Sequence, residues 1–137
     1  MIPSKILMTK IFTFEAAHQL PNHNGKCKFL HGHSYRLETV FESNIKFESV
    51  HGDSFYTQQG FLVDFSEIKD LVKSKIIDKF DHKCLNDYFE IPSAEEVAFH
   101  CFTVICGSIK ANPLFRNVKL CKITLWETET SYVTMEA

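Results

Sequence analysis

Hydrophobic and polar residues alternate along two stretches in the first third of the chain. Residues 6–18 carry apolar side chains at every second position through Phe12, Phe14 and Ala16, and residues 33–43 repeat this period in the run YRLETVF. A period of two is that of a half-buried β-strand. The pattern therefore predicts two strands, joined by the turn-rich loop PNHNGKCKFLHG.

Two later stretches show the three- to four-residue spacing of amphipathic helices. Asp64 and Ser93 each stand three residues before a glutamate, an arrangement typical of a capping box at a helix N-terminus. Apolar residues recur on one face after each of these caps. The sequence therefore predicts helices over 65–79 and 94–110.

The remaining segments complete an α+β pattern. Residues 118–127 and 131–136 read as two closing strands, so the order is β, β, α, α, β, β. This order predicts a mainly antiparallel sheet with two helices on one face. The segment 44–60 is polar and predicts no regular element beyond a turn at Gly52-Asp53.

Composition limits the classes of function. The 137 residues are 45% hydrophobic and 23% charged, and without repeats or linkers they suggest one domain spanning 1–137. A net charge of −2 provides no field that would draw the protein to nucleic acid or to an anionic membrane. No stretch reaches the roughly 20 apolar residues of a membrane span, and the N-terminus lacks a signal core, so we expect a cytoplasmic protein. Five cysteines without a CxxC pair argue against a disulfide framework and a zinc ribbon.

His31 and His33 form an HxH pair beside the second predicted strand. Residues at i and i+2 of a strand point to the same side, and His18 at the end of the first strand could join them. Imidazole suits zinc, and three protein ligands with one open position are typical of catalytic zinc. Because the chain has seven histidines, a chance pair of surface or hydrogen-bonded histidines is the alternative.

Cys27 and the Asp81-His82 pair are candidates for acid-base chemistry. Cys27 lies between Lys26 and Lys28, whose ammonium groups favour the reactive thiolate. It could be a fourth zinc ligand, an activated base or nucleophile, or an incidental loop cysteine. An aspartate beside His82 can orient the ring for proton transfer. For the pair taken alone, a histidine near the C-terminal end of a helix dipole is the favoured explanation.

Glu127 continues a strand face that carries Cys121 and Ile123. A half-buried acid is costly unless it is paired, so Glu127 is a candidate to bind a ligand with N–H donors. Fraying of the strand end into solvent is the alternative, and Glu129 on the same face favours it. We expect Cys121 and Cys101 to be buried as small hydrophobic residues.

Six segments occur in the order known from one enzyme family: FTFEAAHQLP, GKCKFLHGHSY, GFLVDFSEIK, FDHKCLND, PSAEEVA and LWETETS. Together they resemble the 6-pyruvoyltetrahydropterin synthase family over nearly the whole chain. The spacing Cys27-x3-His31-x-His33 and the segment VDF look more like the bacterial 6-carboxytetrahydropterin synthases of queuosine biosynthesis than like the animal biopterin enzymes.

This resemblance implies a tunnelling fold, in which sheets from several subunits join into an oligomeric barrel. The family usually forms a homo-hexamer whose active sites lie between neighbouring chains. The positions that match its motifs are the Zn²⁺ ligands His18, His31 and His33, the catalytic residues Cys27, Asp81 and His82, and the pterin-binding Glu127. Ser93, Lys26 and Lys28 are further candidates for substrate binding, the two lysines by proximity alone.

The activity implied is that of a zinc-dependent lyase acting on 7,8-dihydroneopterin triphosphate. Its products would be 6-carboxy-5,6,7,8-tetrahydropterin, triphosphate and acetaldehyde. A 6-pyruvoyltetrahydropterin synthase and a non-catalytic pterin- or metal-binding paralogue are the alternatives. Gln19 stands where many relatives have Arg, and Ser93 where Thr is usual, so the exact substrate is less certain than the metal.

Overall fold

A computed structural model describes residues 3–45, 47 and 60–137 of the chain. Its helices and strands are β1 Leu7–His18, β2 His31–Ser43, α1 Phe65–Val72, α2 Asp78–Phe80, β3 Lys83–Cys84, α3 Ala94–Lys110, β4 Val118–Thr128 and β5 Ser131–Glu136. A π-helical segment, Lys73–Ile77, joins α1 to α2. The turn predicted at Gly52-Asp53 lies outside the described residues.

The strands form a single sheet in the order β3-β1-β2-β4-β5. The β1–β2, β2–β4 and β4–β5 pairs are antiparallel, whereas β3 runs parallel to β1 through only two residue pairs. Helices α1 and α3 pack on the same face of this sheet. The predicted α+β class, with an antiparallel sheet and two helices on one face, is confirmed. None of the helices in the described ranges has the length and apolar character of a membrane span.

The hydrophobic core lies between this face and the helices. The sheet contributes alternate positions, among them Phe14, Tyr35 and Leu125, which are at most 2% exposed. The helices contribute residues at the predicted spacing, namely Ile68, Val72, Ile76, Phe80, Val97, Ala98, Cys101 and Ile105. Each large apolar side chain buried in this way stabilises the fold by about 1.5–3 kcal/mol. The predicted burial of Cys101 is confirmed.

A β-bulge changes the predicted facing of one strand residue. Val40 of β2 pairs with Lys122 of β4, and Phe41 pairs with Leu120, so Cys121 is an extra residue without a partner in this ladder. Cys121 is half-buried, and the prediction that it is a core residue was wrong. The bulge keeps the apolar positions before and after it on the side of the helices.

Candidate functional site

Three histidine side chains meet at one end of the β1–β2 pair, on the side of the helices. His18 is paired with His31 across the two strands, and His33 lies two residues further along β2. Their candidate ligand atoms all lie within 4.8 Å of one another. The His18 ring centroid is 4.6 Å from that of His31 and 5.0 Å from that of His33. Strand geometry therefore brings together the three histidines that the sequence singled out.

Backbone carbonyls fix the tautomers of two of these rings. His18 Nδ1 lies 2.7 Å from the Pro92 carbonyl oxygen, and His31 Nδ1 lies 2.7 Å from that of Phe29. A carbonyl oxygen only accepts, so each Nδ1 carries the proton. The two Nε2 atoms are 3.1 Å apart, and in the neutral rings both present lone pairs to each other. This arrangement is repulsive unless a cation lies between them, and a carbonyl behind each ring is typical of metal-bound histidine.

His33 has a free ring nitrogen facing the same space. Its Nε2 is buried and has no hydrogen-bond partner among the described residues, and it lies 3.6 Å from the Glu127 carboxylate. Burial lowers the pKa of His33 below its ordinary value; the Glu127 charge opposes this shift, and His18 and His31 add to it. The ring therefore stays neutral at neutral pH, as a metal ligand must. Three imidazole nitrogens of this kind fit Zn²⁺ with a position left for substrate.

Two residues outside the sequence predictions support His18. Pro92, buried ahead of α3, supplies the carbonyl already described. The buried Tyr35 places its hydroxyl 3.4 Å from His18 Nδ1, and its ring stacks on Phe14 with centroids 4.9 Å apart. Burial, aided by the Glu127 charge, raises the pKa of Tyr35, so its hydroxyl remains protonated. The His18 ring is thus contacted by both a backbone carbonyl and a phenol hydroxyl on its Nδ1 side.

Asp81 and His82 form a hydrogen-bonded pair between α2 and β3. Asp81 Oδ2 is 3.1 Å from His82 Nδ1, and Asp81 Oδ1 accepts the Glu15 N–H at 2.9 Å. The Glu15 hydrogen bond is the main cause that holds the pKa of Asp81 below its usual range, so the carboxylate is ionised. His82 has a φ of 61°, uncommon for a residue other than glycine. Its side chain is 78% exposed, with one ring nitrogen fixed by Asp81.

The exposed His82 ring borders a groove lined by residues of β1, β2 and β3. His82 lines this groove, of about 500 Å³, together with Glu15, Ser34 and His33 of the histidine cluster. The exposed His82 ring is therefore available to a neighbouring molecule.

Cys27 lies in the loop that joins two of the clustered histidines. It occupies a single 3-10 turn, Lys26–Lys28, and its carbonyl accepts the Leu20 N–H at 2.8 Å. Its thiol is free and half-buried. The Lys26 and Lys28 side chains are exposed on either side. A free thiol and two exposed lysines thus lie in the loop between His18 and His31, and their roles in catalysis and substrate binding stay predictions.

Ser93 has a structural role in this chain. Its hydroxyl caps α3 by accepting the Glu96 N–H at 3.2 Å, which confirms the predicted cap. The residue before it is Pro92, whose carbonyl holds His18. A contact between Ser93 and substrate stays a prediction.

Two further histidines in the described ranges, His23 and His100, lie apart from the cluster. His23 is exposed, and its Nδ1 accepts the Gly25 N–H at 2.8 Å. His100 packs in α3 against Phe80, with ring centroids 5.5 Å apart. His51 lies outside the described residues.

Known proteins resemble the chain in both sequence and fold. The model of the 6-pyruvoyl tetrahydropterin synthase family matches residues 7–137. A 6-carboxy-5,6,7,8-tetrahydropterin synthase of Haemophilus influenzae is 30% identical, over 91% of this chain and 94% of its own length. A protein of the same name from Synechocystis is 37% identical over 70% of this chain and 71% of its own. The structure of Caenorhabditis elegans 6-pyruvoyl tetrahydropterin synthase has the same fold, with a TM-score of 0.73 at 24% identity over 97% of this chain and 96% of that one.

Proposed function

The chain belongs to the 6-pyruvoyl tetrahydropterin synthase family, and we propose that it is a zinc-dependent lyase acting on 7,8-dihydroneopterin triphosphate. The proposed products are 6-carboxy-5,6,7,8-tetrahydropterin, triphosphate and acetaldehyde, as in the queuosine pathway. The observation that carries this proposal is the meeting of three imidazoles whose free nitrogens face one space. The names of the bacterial relatives favour the 6-carboxy product.

In this proposal, His18, His31 and His33 hold Zn²⁺. When bound, the ion supplies Lewis-acid polarisation that lowers the pKa of the substrate's side-chain hydroxyls. The carbonyls behind His18 and His31 keep each Nδ1 protonated and each Nε2 free for the metal. The protein thereby prepares the ligand set before any ion arrives.

Proton transfer is assigned to Cys27 and His82. Cys27, as thiolate, would move protons on the side-chain carbons, and His82 would exchange protons with the side-chain oxygens. The ionised Asp81 holds the proton on His82 Nδ1, 3.1 Å away, and so leaves Nε2 as the base. Elimination would release triphosphate, and cleavage of the bond between the first and second side-chain carbons, with uptake of one water, would leave the carboxylate on the pterin and release acetaldehyde.

Substrate recognition is assigned to Glu127 and to cations of the loop. Glu127 borders the cluster and is 23% exposed, so its carboxylate remains accessible to a ligand. The amino and ring N–H groups of a pterin would donate to it in a bidentate, charge-assisted manner. Lys26 and Lys28 are proposed to meet the triphosphate, and Ser93 to contact the pterin.

We further propose that the chain forms a homo-hexamer whose sheets join into a barrel. Among the described residues, the outer edge of β1 has a strand partner only at Ala16 and Ala17. Leu7 and Ile11 on the same strand are 49% and 51% exposed. Joining sheets between subunits would cover both the free edge and these side chains. It would also carry the exposed His82 of one chain to the histidine cluster of its neighbour.

Product analysis tests this function. Purified protein loaded with zinc is incubated with 7,8-dihydroneopterin triphosphate, and triphosphate and acetaldehyde are measured together. We expect both in equal amounts. Triphosphate without acetaldehyde would contradict the 6-carboxy product and favour a 6-pyruvoyl synthase, whereas the absence of both would indicate a pterin-binding paralogue without turnover.

A further inference from the structure

The side-chain amide of Asn86 is bonded to the main chain of the residue that follows His18. Asn86 Oδ1 accepts the Gln19 N–H at 2.9 Å, and Asn86 Nδ2 donates to the Gln19 carbonyl at 3.0 Å. Asn86 lies in the 3-10 turn Leu85–Asp87, directly after β3. One amide group therefore satisfies both the donor and the acceptor of a single backbone residue.

These two hydrogen bonds extend a short hydrogen-bond ladder along the outer edge of β1. The ladder starts with the His82 N–H donating to the Glu15 carbonyl at 2.6 Å and continues through the two residue pairs of β3. After Cys84 the main chain turns away into the 3-10 turn. A side-chain amide carries one acceptor and a donor group on a planar frame, as a peptide does, so Asn86 replaces the next strand residue.

We infer that Asn86 is a positioning residue for the metal ligand His18, an inference that rests on the zinc site of the proposed function. His18 is the last residue of β1, and strand ends fray unless their backbone groups are held. β2 holds one edge of this strand end through the pairing of His18 with His31, and Asn86 holds the other edge one residue later. With both edges fixed, the His18 ring keeps its place against the Pro92 carbonyl.

The same ladder joins the metal ligand to the proton-transfer pair. At one end of the ladder, Asp81 and His82 form hydrogen bonds with the backbone of Glu15. At the other end, Asn86 forms hydrogen bonds with the backbone of Gln19. His18 and His82 are thus parts of one hydrogen-bonded unit within each chain.

The test compares Asn86→Ala with the matched control Asn112→Ala. Asn112 also bonds to backbone through its side chain, accepting the Leu114 N–H at 3.0 Å, but it lies beyond the far end of the 17-residue helix α3. Zinc affinity is measured by competition with a chromophoric chelator, and the visible spectrum of the Co²⁺-loaded protein reports the ligand geometry. In zinc-free protein, the NMR signal of the His18 Nδ1–H reports its hydrogen bond to Pro92.

We expect Asn86→Ala to weaken zinc binding by about tenfold or more, the usual effect of losing support behind a metal ligand. The Co²⁺ spectrum and the His18 signal should change as well, whereas Asn112→Ala should leave all three readouts as in the unmodified protein. Equal zinc affinity and an unchanged His18 signal in Asn86→Ala would overturn the inference.

A second variant, Asn86→Asp, covers the case in which the alanine variant does not fold. It keeps the acceptor for the Gln19 N–H but loses the donor to the Gln19 carbonyl, so we expect a folded protein with weakened zinc binding. Failure of both variants to fold would make Asn86 a folding determinant and would overturn its role as a positioning residue. If the unmodified protein binds no zinc, the proposed function fails, while the His18 signal still decides the role of Asn86.

Discussion

Cys27 and the three clustered histidines have separable tasks in the proposed chemistry. Replacing Cys27 by alanine removes a proton-transfer group but none of the proposed metal ligands. We therefore expect Cys27→Ala to lower turnover by about 10²–10⁴-fold, the usual contribution of such a group, with zinc content unchanged. Turnover and metal content are measured on the same preparation.

Cys106→Ala is the control for this substitution, because Cys106 is a half-buried thiol on α3 outside the proposed site. Both its turnover and its zinc content should stay close to those of the unmodified protein. A loss of zinc in Cys27→Ala would show that Cys27 is a fourth ligand and that the metal site is closed.

The Glu127 carboxylate is the proposed anchor of the pterin ring. Glu127→Gln keeps the shape of the side chain but loses the charge, so one of the two N–H contacts is left without an acceptor. A hydrogen bond to a charged group contributes about 1.5–3 kcal/mol, which corresponds to a roughly 10- to 100-fold weaker affinity for pterin. Binding is measured by fluorescence titration with a pterin that lacks the triphosphate.

Glu129→Gln, at an exposed position beyond the end of β4, serves as the control and should bind pterin normally. Equal affinities in the two variants would rule out Glu127 as the anchor.

At the scale of single residues, the sequence predicts which side chains lie together only where their spacing along the chain determines the direction in which they point. His31 and His33 could be predicted because alternate strand residues share a face. The contributions of Asn86 and Pro92 could not, because a bond from a side chain to a distant backbone group leaves no pattern along the chain.

At the scale of elements, the packing of α3 against α2 includes a half-buried titratable ring. His100 lies 5.5 Å from the Phe80 ring and 5.3 Å from the Phe89 ring, and its Nε2 has no hydrogen-bond partner in the described part of the chain. Burial, with a smaller effect of the Lys79 charge, lowers the pKa of His100 below its ordinary value of 6.5. The folded state therefore favours the neutral ring.

As the pH falls, the unfolded chain binds a proton at His100 before the folded chain does. The contribution of His100 to stability is therefore present above pH 6.5 and is lost as the pH falls toward the lower pKa of the folded state. We expect His100→Asn to make the free energy of unfolding less dependent on pH in the range below 6.5 than in the unmodified protein. Denaturant titrations at several pH values measure this slope, with exposed His23→Asn as the control. An identical slope in His100→Asn and the unmodified protein would contradict the account.

The long elements could be predicted from periodicity and caps, while the short and irregular ones could not. The two residues of β3 are too few to show a period, and their place beside β1 depends on the whole fold. The bulge at Cys121 inserts one residue into β4, so strict alternation assigns that side chain to the wrong face.

At the scale of the whole molecule, the proposed active site needs two chains. In this proposal Cys27 would come from one subunit and His82 from its neighbour, because the His82 side chain is 78% exposed in its own chain. Co-expression of Cys27→Ala with His82→Asn should therefore restore activity that neither variant has alone. Asparagine is chosen because it tolerates the positive φ of this position.

With random mixing of the two chains around a ring, about a quarter of the sites would receive both intact residues, so roughly a quarter of the original activity should return. Absence of any recovery in mixed oligomers would show that each site is built from one chain. The sequence could indicate this assembly only through its resemblance to a family, because contacts between two chains leave no pattern along one of them.

Zinc titration of the stripped protein is the sharpest test of the proposed lyase. The protein is stripped with a chelator and then titrated with Zn²⁺, while bound metal and turnover of 7,8-dihydroneopterin triphosphate are followed together. We expect activity to be lost on stripping and to return in proportion to bound zinc up to about one ion per chain, with His31→Ala neither binding zinc nor recovering activity. Full turnover in the stripped protein, or normal zinc binding by His31→Ala, would contradict a zinc-dependent reaction at the three histidines.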